Sequence, residues 1–344
     1  MTKNDLPTDQ QYLKTLIRDL SLRLPKAIVS QQEKRASESV DELIMKGRID
    51  PKDRQYYIDF NLAHINPETA FQGSALTSLK SRTLAYLAGE EAVFEVVPVG
   101  MLSIPEMNAF AIRTPRGGAA IALYSGLWLF LKIAFYALLA IMYRKTEYSI
   151  GAHHSNETYA ANLYSVVNAM KSGSIIIMTT TGEHSIADCV GDGAWPEQMV
   201  AQNIQYALSF ILLHEFGHIH HGHLDINLTR RMSAGKRDVD IYLTSHKQEF
   251  EADEFAVRRI LLKGERNLVH NVLHMTSITM LFLLFDLCED DNFPETLGTH
   301  PKSKRRLERV YTVCKDWCGE STWMQLQEAT GYVEAVFEIL KKHK

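Results

Sequence analysis

Two histidines and a glutamate stand close together in the chain, at a spacing that can hold a metal ion. The segment reads His214-Glu215-x-x-His218. Side chains four residues apart on a helix lie on one face, so both imidazoles can reach one zinc ion. Glu215 then lies beside the ion, where its carboxylate can take a proton from zinc-bound water. The alternative is a solvated, histidine-rich helix end, because this short pattern also arises by chance.

A second, acidic segment further along the chain supplies a candidate third ligand. A catalytic zinc ion needs three protein ligands and one open position. The segment from Thr244 to Ile260 contains four carboxylates and follows helical periodicity. Thr244 or Ser245 is a suitable N-cap residue for this helix. Helical geometry must then decide which carboxylate points towards the two histidines.

The spacing along this predicted helix separates the carboxylates into two stripes. Glu249 and Asp253 share one stripe with two alanines, which would let another helix approach closely. Glu254 and Arg258 share another stripe, and an opposite-charge pair four residues apart is typical of a solvated face. We therefore assign Glu249 as the third ligand. Asp253 can accept a hydrogen bond from a ligating histidine and so fix its ring. The alternative is an acidic surface helix with a chance pattern.

Further histidines near the motif permit a different interpretation. His220, His221 and His223 follow it directly, and His246 precedes the acidic helix. We expect surface or supporting roles for them, because two histidines and Glu249 already complete a catalytic set. If His221 or His223 supplied a fourth ligand, the ion would only hold two helices together in a non-catalytic binding protein.

Composition narrows the class of protein. The formal net charge of −4, from 37 basic and 41 acidic residues, gives no basic field for nucleic acid. The four cysteines fit neither a disulfide framework nor a paired-cysteine metal site. The polar N-terminus lacks the apolar core of a signal peptide, so we expect a cytoplasmic protein.

One apolar stretch, Ala119 to Tyr143, is long enough to span a bilayer. Lys132 near its middle would be costly in lipid, and Ser125-Gly126 divides it. We therefore predict a strand followed by a buried helix of about 17 residues. A shorter apolar run, Met275 to Phe285, predicts a core helix. Membrane association is an alternative that we do not favour.

The remaining pattern predicts two regions, a helical N-terminal region over residues 1–90 and a metallopeptidase domain over 91–344. In the first region, leucines at helical spacing near residue 16 predict an amphipathic helix, and residues 33–47 predict a second. In the other region, we predict strands over 92–100, 107–113, 119–124 and 174–181, a loop over 182–195 and a helix from Pro196.

Several of these motifs resemble a known group of enzymes. H-E-F-G-H followed by E-F-E-A-D-E-F-A resembles the gluzincin metallopeptidases, whose third ligand is the first glutamate of E-x-x-x-D. Met107 to Ala111, the later Ser125-Gly126-Leu127, and Thr299 to Arg306 resemble the HtpX-like and CAAX-prenyl endopeptidase family. The stretch between Leu127 and His214 is longer than in that family, and clear paired membrane helices are missing. The chain is thus also similar to the soluble phage-exclusion peptidase Lit family, bacterial zinc peptidases that cut a translation factor.

The resemblance implies an α+β, zincin-like fold, mostly helical, with a small β-sheet whose edge strand borders the active site. Residues 119–124 would form that edge strand and bind a protein or peptide substrate as an added strand. His300 would stabilise the oxyanion, and Arg306 would support it. The alternative interpretation is that His300 and Pro301 form a simple turn and that Lys302 to Arg306 are a solvated basic run. The predicted function is a zinc-dependent endopeptidase with Glu215 as general base, or a phage-exclusion or toxin-type protease that acts on one host protein.

Overall fold

The computed structural model of the chain describes residues 7–20, 26–47, 50–55, 58, 74–102 except 88, 104, 106–143, 160–168 except 162 and 166, 195–225, 229–234, 237–242, 245–262, 267–289 and 300–342. The chain divides into two compact units. Residues Met1–Leu129 and Gly222–Leu243 form the first, and Phe130–His221 and Thr244–Lys344 form the second. The boundary expected near residue 90 stays a prediction.

Helices dominate the described residues, with a three-stranded sheet and a separate hairpin, as the α+β prediction requires. The helices are α1 (Asp9–Leu20), α2 (Lys26–Met45), α3 (Ser74–Leu84), α4 (Glu91–Glu95), α5 (Ser125–Tyr143), α6 (Trp195–His220), α7 (His246–Ile260), α8 (Leu268–Cys288), α9 (Ser303–Cys318) and α10 (Glu320–Lys341). The strands are β1 (Val99–Leu102), β2 (Ala109–Arg113), β3 (Ala119–Tyr124), β4 (Thr229–Ala234) and β5 (Arg237–Tyr242). Single 3₁₀ turns occupy Pro51–Asp53, Ala85–Leu87 and His223–Asp225.

The amphipathic helix near the N-terminus is confirmed. Leu13, Leu16 and Ile17 are buried on one face of α1, as apolar residues at offsets of three and four require. That face packs on the three-stranded sheet, where Phe110 and Tyr124 meet edge to face at 5.7 Å. The second predicted helix is also confirmed, and it begins earlier than the sequence indicated, at Lys26.

The strand predicted to lie at the edge of the sheet lies at its centre. The strand order is β1-β3-β2, with β1 parallel and β2 antiparallel to β3. A turn after Thr114 joins β2 to β3, and Gly117 adopts the positive φ of +85° that this turn needs. Because both edges of β3 are already hydrogen-bonded, β3 cannot accept an added substrate strand. Such a strand would have to pair with β1 or β2.

One local prediction was wrong, and one element was missed. Residues 92–95 belong to α4 rather than a strand, because Phe94 and Val97 are buried while Val93 and Val96 are exposed, which is a helical period. The hairpin of β4 and β5 was not anticipated, because polar residues dominate both strands. The strand predicted over 174–181 and the loop over 182–194 lie outside the described residues.

The long apolar stretch folds as predicted, as strand β3 followed by helix α5, and both are buried. The second apolar run lies within α8, which extends beyond the predicted residues at both ends. In the described part of the chain, α8 is long and apolar enough to cross a membrane, although 56% of its most apolar window is buried. In the second unit, α8 packs against α6, α9 and α10, which is the environment of a core helix.

Candidate metal centre

The two motif histidines lie on the last turns of α6, one helical turn apart. His214 and His218 are both buried, and their Nε2 atoms are 3.1 Å apart. The apolar run directly before them, Ala207 to Leu213, is buried and so fixes the direction in which both rings point. The predicted convergence of the two imidazoles is therefore present.

The acidic helix α7 packs against α6 with the predicted face inward. The residues of the predicted inward stripe are all fully buried, namely Glu249, Ala252, Asp253, Ala256 and Ile260. The outer stripe carries the predicted ion pair, in which Arg258 donates from Nε to Glu254 Oε1 at 2.9 Å. Ser245 caps the helix in a reciprocal capping box with Gln248, which fixes where α7 begins.

A glycine inside the motif, which the sequence analysis missed, allows the two helices to approach closely. A Cβ atom added at Gly217 would lie 3.0 Å from the Cα atom and 3.2 Å from the carbonyl oxygen of Ala252. These are backbone atoms, so the clash could be relieved only by moving a helix. The one signal in the sequence was a glycine within a helical, apolar segment, where it costs about 1 kcal/mol relative to alanine.

Substitution of Gly217 by alanine should therefore lower both stability and metal affinity. We expect a loss of about 1–3 kcal/mol in the free energy of unfolding, from overpacking between α6 and α7. Denaturant unfolding and metal titration would measure the two effects. Gly331→Ala is the matched control, because Gly331 also lies within a helix and its added Cβ would meet nothing within 4 Å. Equal stability of the two variants would contradict the packing argument.

Glu249 completes a three-sided group with the two histidines. Its Oε2 lies 3.5 Å from His214 Nε2, and its Oε1 lies 3.4 Å from His218 Nε2. Two ligand atoms bound tetrahedrally at the usual zinc distances lie about 3.4 Å apart. Among the described residues, these three side chains are the group of histidines, cysteines and carboxylates that could hold a metal ion. The donor set and its separations therefore fit one.

The formal charges at the site lead to the same conclusion. Glu215, Glu249 and Asp253 are buried carboxylates, and Arg306 is the buried cation beside them. This leaves a formal excess of two negative charges, and buried charge is costly unless it is paired. A divalent cation between the histidines and Glu249 would balance it.

Asp253 and Arg306 hold the ring of His214 on the side opposite to Glu249. Asp253 Oδ1 lies 2.9 Å from His214 Nδ1, so the opposite ring nitrogen faces Glu249, as predicted. Arg306 donates to both oxygens of Asp253, at 2.7 and 2.9 Å, and its Nη1 lies 3.7 Å from Glu249 Oε2. The guanidinium lies 5.1 Å from the ring centre of Phe282 on α8. This network fixes the ring direction of His214.

The electrostatic environment favours positive charge at the point where the ligand atoms meet. Burial alone would lower the pKa of His214, but the hydrogen bonds that its ring donates to Asp253 and Glu249 outweigh burial and raise the pKa to about 9. Burial would raise the pKa of Glu249, yet the neighbouring His300 and the motif histidines hold it well below its usual range. The pKa of Asp253 is likewise lowered against burial, mainly by Arg306. Groups that favour a proton here would also favour a metal cation.

The remaining predicted residues also lie at the site. Glu215 is buried on α6, and its charge helps to raise the pKa of Arg306 against burial. His300 Nδ1 lies 2.7 Å from Glu249 Oε2, and its side chain is 45% exposed. His300 is therefore the half-open member of an otherwise buried group. His220, the last residue of α6, and His221, which follows it, are exposed, and their ring centres lie 4.9 and 6.0 Å from that of Phe255.

A mostly helical fold with a small sheet and a buried His–His–Glu group is the arrangement of a zincin-like protein. A family model described as Peptidase U49 matches residues 128–316, which is more than half of the chain, and the chain therefore belongs to this family of peptidases. The match spans the metal group, Asp253, His300 and Arg306. No curated protein and no solved structure matches the chain. The family match supports the Lit-like resemblance, and no comparison supports the HtpX-like one.

Proposed function

We propose that this peptidase is a zinc-dependent endopeptidase in which Glu215 is the general base. The observation that carries the proposal is the meeting of His214, His218 and Glu249 at separations of 3.1, 3.4 and 3.5 Å. Two imidazoles and one carboxylate are a donor set that suits zinc, and they leave one coordination position open. Bound there, zinc would polarise the scissile carbonyl and make water more acidic.

The residues of the chain then divide the work of hydrolysis. Glu215 takes a proton from the attacking water, whose oxygen bonds to the carbonyl carbon of the peptide. As the carbon–nitrogen bond breaks, Glu215 returns the proton to the leaving amine. Asp253 keeps the hydrogen on His214 Nδ1 and leaves Nε2 free to ligate. Arg306 balances the charge of Asp253, while His300 and the two motif histidines favour the ionised form of Glu249, so that both carboxylates remain ionised while buried.

We propose different roles for Arg306 and His300. The guanidinium of Arg306 donates two hydrogen bonds to Asp253 and lies beside Glu249. We therefore propose that Arg306 positions the ligands. His300 is half-exposed beside Glu249, which suits the oxyanion-stabilising role, since a substrate carbonyl could approach its ring from the solvent side. The role of His300, unlike that of Arg306, depends on the binding of a substrate at the open position.

The rival function is that of a non-catalytic binding protein in which a zinc ion only holds two helices together. A structural site uses four protein ligands. His221 was a candidate for the fourth, but it is exposed and its ring lies against Phe255. His223 is buried, but it is not one of the residues whose ligand atoms meet in the metal group. Within the described residues, the metal group has three members, which favours the catalytic alternative.

The substrate that we propose is a protein or extended peptide, cut in the cytoplasm. Membership of a Lit-like peptidase family supports the narrower proposal of a phage-exclusion or toxin-type protease that acts on one specific host protein. Binding of the substrate as an added strand stays part of this proposal, with β1 or β2 as the available edge. Nucleic acid is not a proposed partner.

Metal removal tests the proposal most directly. Purified full-length protein should cleave members of a diverse peptide library, lose the activity when a chelator removes the metal, and regain it when zinc is restored. Activity should fall by at least about 100-fold, because activation of water by the metal contributes several kcal/mol to the rate. Cleavage that persists in metal-free protein, confirmed by elemental analysis, would reject the zinc mechanism.

A further inference from the structure

A short segment carries two of the groups that reach the metal centre. His300 Nδ1 lies 2.7 Å from Glu249 Oε2, and further along the segment Arg306 donates two hydrogen bonds to Asp253, at 2.7 and 2.9 Å. Helix α9 begins between them, at Ser303. Because a helix turns by about 100° per residue, a shift of one residue in its register would turn the side chain of Arg306 away from Asp253. The start of α9 therefore decides whether this segment reaches the site.

The side chain that caps the start of α9 comes from the end of another helix. Lys302, at the N-cap position of α9, makes no capping hydrogen bond through its side chain, and the first turn contains no acidic residue. Instead, Glu289 Oε1 accepts hydrogen bonds from the backbone N–H of Ser303 at 2.8 Å and from its hydroxyl at 2.5 Å. Glu289 is the residue that follows α8. A carboxylate here satisfies an N–H that has no partner within the helix and suits the positive end of the helix dipole.

The anchored residue fixes which face of α9 points inward. The buried residues Ser303, Arg306, Leu307 and Val310 form one stripe, because they follow each other at helical spacing. At the start of the helix, the N–H of Arg306 donates to the carbonyl of Lys302 at 3.1 Å. Ser303 and Arg306 thus lie on the same face, one turn apart. A side chain that holds Ser303 inward therefore also holds Arg306 inward.

Helix α8 contacts this segment at a second point. The ring centre of Phe282 lies 5.1 Å from the guanidinium of Arg306. An aromatic ring beside a guanidinium restrains its position, but it does not direct its hydrogen bonds. The two hydrogen bonds between Glu289 and Ser303 supply the directional contact, because they act on a backbone group and a side-chain group of one residue.

We infer that Glu289 is a positioning residue of the metal centre. Through Ser303 it sets the register of α9, and so it holds Arg306 at Asp253 and His300 at Glu249. Where it concerns the rate of hydrolysis, this inference rests on the proposed function. Removal of a group that supports a metal ligand costs about 10- to 100-fold in metal affinity or activity. Glu289 acts one step further from the metal, so the lower value is expected.

Full-length, zinc-loaded variants and a peptide that wild type cleaves test the effect on the rate. Glu289→Ala should lower kcat by about tenfold and leave KM within about twofold, because the transition state depends on His300 and on the ligand geometry more than the bound substrate does. Ser303→Ala, which keeps the backbone hydrogen bond, should lower kcat by about threefold. Glu289→Gln keeps an oxygen that accepts both bonds and should restore kcat to within about twofold of wild type. The double alanine variant should be no slower than Glu289→Ala, since both residues act through one contact.

Tyr311→Phe is the matched control, since it removes a hydrogen bond between the same two helices away from the start of α9. The hydroxyl of Tyr311 lies 3.0 Å from Thr279 Oγ1 on α8 and 2.9 Å from Glu334 Oε1 on α10. Its loss should lower Tm and leave kcat within about twofold of wild type. If Glu289 served stability alone, Glu289→Ala would behave in the same way, with a lower Tm and an unchanged kcat.

A second measurement, the exchange of the Arg306 Nε–H proton followed by NMR in metal-free protein, needs no peptide. This proton is buried and bonded to Asp253 Oδ2 at 2.9 Å, so it should exchange slowly, and its signal is identified by its loss in Arg306→Lys. Exchange should be at least about tenfold faster in Glu289→Ala and unchanged in Tyr311→Phe. Exchange in Glu289→Ala no faster than in the control, or a kcat that stays at the wild-type value, would overturn the inference alone. If wild type cleaves no peptide, the proposed function fails, and the exchange measurement still decides the inference.

Discussion

Replacement of Glu215 by glutamine should leave the metal bound and abolish hydrolysis. Glutamine has nearly the same shape as glutamate, so the buried end of α6 should keep its packing, but an amide cannot accept the proton of the attacking water. General-base catalysis contributes about 10²- to 10⁴-fold, and kcat should fall by at least that factor. Peptide cleavage and metal content, both measured on the purified variant, would test this expectation.

The matched control for this experiment is Glu251→Gln. Glu251 lies on the outer face of α7, with its side chain 39% exposed and paired with Lys247. This variant loses a carboxylate from the same pair of helices but should keep full activity. Retained hydrolysis in a metal-loaded Glu215→Gln protein would assign the base to another residue and end the proposed mechanism.

Removal of the third ligand should have the second largest effect. Glu249→Ala removes the only carboxylate of the metal group, and zinc affinity should fall by more than about 100-fold, the upper range for residues that merely support a ligand. Activity should be lost together with the metal. Arg306 keeps its two hydrogen bonds to Asp253 in this variant, so the protein should still fold.

Thermal unfolding separates loss of the metal from loss of the fold. Zinc at about 100 times its dissociation constant should stabilise wild type by about 2.7 kcal/mol, seen as a higher Tm than in chelator. This increment should disappear in Glu249→Ala and persist in Glu251→Ala. The milder Glu249→Gln variant, which keeps the shape of the side chain, gives a second reading should the alanine variant prove unstable. A zinc-dependent rise in Tm that survives both substitutions at Glu249 would show that the metal is held elsewhere.

The core of the site was predictable because helix geometry is local. The spacing of His214 and His218 fixes both rings on one face of one helix, whatever the rest of the fold does. The stripe that carries Glu249 and Asp253 could be separated from the outer stripe by the same rule, and burial confirms the choice. The sequence left the N-cap of α7 open between Thr244 and Ser245, and the structure assigns it to Ser245, whose capping box with Gln248 is itself a local signal.

Features that depend on contacts between distant segments could not be derived in this way. The short apolar run over residues 119–124 predicts a strand, but not which strands lie on either side of it, and the structure places it at the centre of the sheet. The closeness of Gly217 to Ala252 requires two helices to be packed before it exists. The resemblance suggested that Arg306 supports an oxyanion, and its hydrogen bonds to Asp253, a residue far away in the chain, are the basis of the positioning role that we propose for it.

The sequence by itself indicated which residues could hold a metal ion, because two helices carry the candidate ligands at spacings that leave little choice. The tertiary structure decided how those helices meet and which partner each buried charge receives. It also brought His300 and Arg306 to Glu249. The physical reason is the distance along the chain over which each kind of interaction acts. Helical periodicity acts over a few residues, whereas close packing and the pairing of buried charges join residues far apart in the chain, such as Asp253 and Arg306.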